Sequence, residues 1–283
     1  INTVMVAIKV LVIAIFIGVA VFYIKPTNYQ PFLPYGGAGV LSGAALAFYA
    51  FIGVDAVSTA SEEVINPQRN MPIGIIASLG IASLLYAAVA AVLVGVVHYT
   101  KLNVGDPVAF ALQLMHQNWV AGIVALGAVA GMTTVLLVMS YGGSRLIFAI
   151  SRDGLLPPIF AKVSLKTHVP VANTWIFAII TSVIAMVVPL DKIAELVNIG
   201  TLFAFATVSL GIVFLRKVPF YHELPTGFKV PFYPVLPIIS CLLCVLLMTQ
   251  LQLTTWLVFV IWITIGLIIY ATYGYRHSRQ HSN

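Results

Sequence analysis

The chain has 283 residues, of which 61% are hydrophobic and only 8% charged, and its mean hydropathy is +1.06. A water-soluble domain carries about 25% charged residues and cannot cover its surface with so few, so the composition excludes a soluble fold and gives one polytopic membrane domain over residues 1–283. The net charge of +6 lies between apolar spans rather than on one face or arm, which reads as topology-setting loop charge and not as a nucleic-acid surface.

A helix needs about 20 apolar residues to cross the hydrocarbon core. Eight segments approach that length, at about 4–24, 40–61, 73–97, 119–141, 172–188, 194–215, 235–252 and 255–274. The runs are too long for barrel strands and lack strand alternation, so the expected class is all-α integral membrane with about eight transmembrane helices.

The first span begins within about three residues of Ile1, with no initiator Met, basic leader or cleavage site. A signal peptide is therefore not expected, and the chain is expected to begin partway through a larger protein. Lys9 lies inside this span, in "VMVAIKVLVIAIFIG". One reading has it snorkelling to the headgroups with its stem in lipid. The other turns it inward, where desolvation makes it titratable and suited to proton coupling.

The second span, "VLSGAALAFYAFIGVDAVSTAS", starts as an ordinary membrane helix and then meets Gly53, Asp55, Ser58, Thr59 and Ser61. A glycine in a helix interior costs roughly 1 kcal/mol, and a carboxylate at depth about 2.5–3.5 kcal/mol. These costs favour a helix interrupted near Ile52–Asp55, its unwound backbone facing a polar cavity. Broken helix ends offer a positive pole to a carboxylate and carbonyls to an ammonium, which together suit an amino acid zwitterion. The alternative is a continuous helix with Asp55 paired to a neighbour. Glu62 and Glu63 follow near the cytoplasmic end, where acids oppose the helix dipole. A salt bridge to Arg69 or Arg145 is expected, as gate or as staple.

Further along, Gly39/Gly43 and Gly127/Gly131 recur at helix-packing spacing. Thr133, Thr134, Ser140 and Tyr141 in the fourth span are cavity candidates, with back-bonding to the helix as the plainer reading. "YGGSRLIFAISRDGLLPPIFAKVSLKTHVP" reads as an amphipathic interfacial helix and a Pro-terminated loop. "VVPLDKIAELVNIG" leaves the boundary before the sixth span soft. Cys241 and Cys244, within "PIISCLLCVLLM", read as packing residues. No cysteine–histidine cluster, Walker loop or nucleophile–base pair is present, so neither a metal, a cofactor nor an enzyme activity is expected.

Ten Lys and Arg residues fall on one side of these spans, in the connections around Arg69, Arg145–Lys166 and Arg216–Lys229 and in the tail, against Lys25, Lys101 and Lys192 on the other. The rich side is expected to be cytoplasmic, with both visible chain ends there.

"FYAFIGVDAVSTASEEVINPQRNMPIGI", with "AIKVLVIAIFIG" and "YIKPTNYQPFLPYG" before it and "YGGSRLIFAISRDGLLP" after it, resembles the amino acid–polyamine–organocation transporters, in particular the cationic amino acid transporter subfamily. The similarity covers essentially all 283 residues. The resemblance implies a fold of two inverted five-helix repeats plus two further helices. Residues 1–24 would be the last helix of the first repeat and 39–217 the second repeat. Residues 218–283 would add two helices and a short cytoplasmic tail, so the first four helices of the family lie outside this chain. The resemblance also implies that backbone around Tyr49, Ala50 and Ile52 meets the substrate amino group, with Gly53 at the break and Val54 and Asp55 after it. Tyr49 would stand at an aromatic gate, and Lys9 would match a lysine linking proton movement to transport. The expected activity is proton-coupled symport of small neutral or cationic amino acids across the plasma membrane. Sodium coupling, exchange, or a non-transporting scaffold or receptor are the alternatives. Without the missing helices the 283 residues are expected to be inactive alone.

Overall fold

The computed structural model describes residues 2–53, 64–164, 169–217 and 228–277. Among the described residues, nine helices carry the fold: α1 (Asn2–Ala20), α2 (Gly36–Ala47), α3 (Pro67–Val96), α4 (Pro107–Leu114), α5 (Asn118–Arg152), α6 (Val171–Val187), α7 (Leu190–Leu215), α8 (Val235–Met248) and α9 (Leu253–Ile269). Five stretches of them are long and apolar enough to span a bilayer: Thr3–Tyr23, Pro67–Val96, Asn118–Arg152, Leu190–Leu215 and Leu253–Gly274. Three apolar helices are shorter, Gly36–Phe51, Val171–Val187 and Val235–Met248. Large apolar side chains stand outward along these helices, Trp262 at 73% exposure among them. An apolar surface of that extent is the mark of a protein embedded in lipid and packed against further helices.

Several helix boundaries differ from expectation, α3 starting at Pro67 rather than 73 and α8 ending at Met248 rather than 252 among them. The fourth span does not stop at 141: α5 runs unbroken through Gly142 and Gly143 to Arg152, so the expected interfacial helix is the end of the same rod. Its polar residues follow the helical period, and no proline interrupts it before Pro157. The sixth span starts at Leu190 instead of 194, because Pro189 takes the position before the first turn. Helix α4 has no counterpart among the eight expected spans; Asp106 caps it by accepting from Ala109 N–H at 3.0 Å, and Pro107 opens it.

The chain forms two compact units. The first comprises Ile1–Gly36 and Gly74–Met139. Its core joins Val12, Phe16 and Ala20 of α1 to Val92 of α3, Leu112 of α4, and Val120, Ala121 and Val124 of α5. The segment after α1 closes over the end of α3: Lys25 N–H donates to Gly95 O at 2.9 Å, and Asn28 Nδ2 donates to Gly95 O and Val96 O at 2.8 and 3.1 Å. Terminal carbonyls of a helix have no partner within it, and this segment supplies donors.

The second unit comprises Gly37–Ile73 and Ser140–Asn283. Ala45 of α2, Ile199, Leu202 and Ala206 of α7, Cys241, Cys244 and Met248 of α8, and Phe259 of α9 form its core. Both cysteines are buried free thiols within that cluster, in the packing role expected of them. Gly143 lets α5 meet α6, since a Cβ there would stand 2.5 Å from Phe177 Cε2. Buried Asn173 of α6 donates to Phe160 O at 2.7 Å and ties down the connection before it.

Candidate functional site

The site begins where α2 stops being an α-helix. The chain tightens into a 3₁₀ turn over Phe48–Phe51, and Ile52 N–H donates to Tyr49 O at 3.3 Å. Ile52 is extended, at φ −66° and ψ 136°, and Gly53 has φ +121°. Such a φ is open to glycine and costly for residues with a Cβ. "AFIG" therefore carries its own stop signal, short of where a membrane helix of ordinary length would end. Tyr49, Ala50, Ile52 and Gly53 lie on this exit, with Tyr49 42% exposed. Val54, Asp55, Glu62 and Glu63 lie outside the described residues.

Two polar side chains of α7 that sequence reasoning passes over stand at this end of the second unit. Asn198 is fully buried, and its Nδ2 donates to Ala45 O of α2 at 3.0 Å. Glu195, one turn earlier and 6% exposed, accepts from Thr255 Oγ1 of α9. Phe48 meets Phe205 edge-on, ring centroids 6.0 Å apart, so this end of α2 is seated on α7 by both polar and aromatic contacts. The signal in "AELVNIG" is the three-residue spacing of two polar residues on the face that also carries Ile199, Leu202 and Ala206. Reading the stretch as a boundary hides that period.

Lys9 belongs to the first unit. Its stem lies over Gly131 of α5, where a Cβ would be 3.3 Å from Cε and 3.6 Å from Cδ and Cγ. Gly127, one turn away, admits Val12 in the same manner. The Gly127/Gly131 pair is thus the groove that α1 occupies. Gly43, by contrast, faces open space: a Cβ there would meet nothing within 4 Å, so the packing expected of the Gly39/Gly43 pair is not seen at that residue.

The fourth-span candidates divide. Thr134 is buried beside the Lys9 groove, and its hydroxyl donates to Gly131 O at 2.6 Å. Thr133 is exposed and donates to Val129 O at 2.9 Å. Both follow the back-bonding reading. Ser140 is half-buried, and Arg145 lies over the Tyr141 ring at 4.0 Å.

The sequence model of the family described as amino acid permease matches residues 1–271. The methylthioribose transporter of Bacillus subtilis (strain 168) is 50% identical over 277 residues, covering 98% of this chain and 60% of that protein. The branched-chain amino acid permease BcaP of the same organism is 48% identical over 280 residues, 99% of this chain and 60% of that protein. The human cationic amino acid transporter 4 is 36% identical over 214 residues, 74% of this chain and 34% of that protein. The chain spans about three fifths of the length of the two bacterial relatives.

Proposed function

Because the chain belongs to the amino acid permease family, we propose that the full-length protein is a proton-coupled carrier of amino acids, a transporter and not an enzyme, seated in the plasma membrane. The observation that carries this reading is the exit of α2 from helical geometry at Ile52–Gly53, inside an apolar segment. Irregular backbone at membrane depth belongs where it lines a cavity or is buried in protein. A helix end there offers oriented peptide groups to the charged ends of a zwitterion.

In this reading Tyr49, Ala50, Ile52, Gly53 and Val54 form one side of the substrate site. The opposite side comes from helices of the first repeat outside this chain, so residues 1–283 alone do not transport. The 5+5 inverted repeat supplies the frame, with residues 39–217 as its second half. Asp55, Glu62 and Glu63 are assigned as further candidates for a cavity or gate role. Lys9 is the proton-coupling group. Its stem packs in the groove at Gly131, beside Thr134, a position that suits an inward role. The ten-to-three bias of Lys and Arg puts both visible ends in the cytoplasm.

The substrate is a neutral or cationic amino acid. The names of two relatives speak for that class, one for branched-chain and one for cationic amino acids. A second reading, uptake of methylthioribose, is favoured by the 50% identity to a transporter named for that compound. Purified full-length protein in vesicles with an imposed pH gradient, offered labelled leucine, arginine and methylthioribose, decides between them. Gradient-driven accumulation of an amino acid is the expected result. Uptake of methylthioribose alone replaces the first reading with the second, and amino acid uptake indifferent to the gradient removes proton coupling.

A further inference from the structure

Asn198 is a side chain whose two polar atoms are treated differently by the fold. Its Nδ2 donates to Ala45 O at 3.0 Å, and among the described residues this is the one side-chain hydrogen bond made to α2. Its Oδ1 is buried and has no hydrogen-bond partner among the described residues. Buried polar groups are nearly always paired, because leaving one unpaired forfeits its hydration for nothing. An orphan acceptor beside an irregular helix end therefore asks which donor it serves.

The helix itself answers. In a regular α-helix the donor to Ala45 O is the N–H of Tyr49, four residues on. The 3₁₀ turn that replaces the α-helix begins one residue earlier, at Phe48, and includes Tyr49. When that turn reshapes, the Tyr49 N–H is released beside the Asn198 carboxamide, and Oδ1 is the acceptor next to it. Among the described residues, the side chains clustered there, Ile199, Leu202 and Ala206 of α7 with Phe48 and Phe205, are apolar.

We propose that Asn198 is a positioning residue for the substrate-binding end of α2, holding the Ala45 carbonyl through Nδ2 and receiving the Tyr49 N–H on Oδ1 when the turn at 48–53 changes conformation. Asn198 does not touch the substrate; it sets the geometry of the peptide groups that do. This rests on the reading of residues 48–53 as one side of the substrate site.

The test uses the full-length protein with Asn198→Leu, which matches the apolar neighbours in character and keeps the branched shape of the side chain. One net hydrogen bond corresponds to about a tenfold change in an equilibrium constant, so KM is expected to rise about tenfold, with the maximum rate changed less than about threefold. Amide hydrogen exchange across 45–53 is expected to accelerate by a similar factor, while 235–248, packed on the same helix, stays unchanged. Unaltered exchange across 45–53 overturns the proposal, as does a lowered maximum rate with wild-type KM, which marks a residue needed only for folding. If the leucine variant does not fold, Asn198→Ser, too short to reach Ala45 O, is read by the same criteria. The exchange measurement requires no transport, so a protein that moves no amino acid defeats the functional reading without deciding this one.

Discussion

Gly127 of α5 presents its bare Cα to Val12 of α1 so closely that a Cβ would lie 2.6 Å from Val12 Cγ2 and 2.9 Å from Cγ1. Four residues on, Gly131 meets the Lys9 stem at a looser 3.3 Å. A β-branched side chain has few rotamers to retreat into, whereas a lysine stem has several. Gly127→Ala is therefore expected to destabilise the full-length protein by about 1–3 kcal/mol through overpacking, despite the gain in helix propensity. Gly131→Ala is expected to be within about 1 kcal/mol of wild type, since the propensity gain offsets a small shift of Lys9. Unfolding midpoints of the two variants in detergent, measured side by side, check the contrast.

Lys9→Ala is expected to leave substrate binding within about threefold of wild type and to abolish accumulation driven by a pH gradient. Counterflow exchange, which needs no gradient, is expected to persist. Wild-type accumulation in this variant would return Lys9 to a snorkelling role.

Gly53 sits at φ +121° at the end of the second apolar helix. An alanine placed there is expected to cost about 1–3 kcal/mol of backbone strain. The cost falls on the turn proposed to hold substrate, so Gly53→Ala is expected to raise KM by an order of magnitude or more. Equilibrium binding of labelled substrate to purified protein measures this directly, and unchanged affinity would detach Gly53 from the site.

Thr255 is 3% exposed and donates to the carboxyl of Glu195, itself 6% exposed. Thr255→Val keeps the shape and removes the donor, which is expected to cost about 1–3 kcal/mol because a buried acceptor is left without its partner. Glu195→Gln keeps a carbonyl acceptor toward the same hydroxyl and is expected to cost less than Thr255→Val. Chemical denaturation of both variants ranks them, and the reverse order would show that the hydroxyl is not what Glu195 depends on.

The class of the molecule was legible because lipid makes simple demands. A span must be apolar and about 20 residues long, and its backbone must pair within itself. That is why the positions of eight apolar segments, and the stop carried by "AFIG", stand in the residues themselves. Gly127 and Gly131 were likewise visible as a spacing. Which helix fills their groove was not, since any apolar neighbour would fit the pattern.

Composition and hydropathy by themselves determined that the chain lives in a bilayer as helices, and glycine's freedom at positive φ marked where one helix must end. Only the tertiary structure decided that Val12 and Lys9 occupy the glycine groove, that α5 continues to Arg152, and that Asn198 and Glu195 turn inward to Ala45 and Thr255. Periodicity states which residues share a face. It does not state what that face meets, because a partner is chosen by shape and by the pairing of buried polar atoms across elements far apart in the chain.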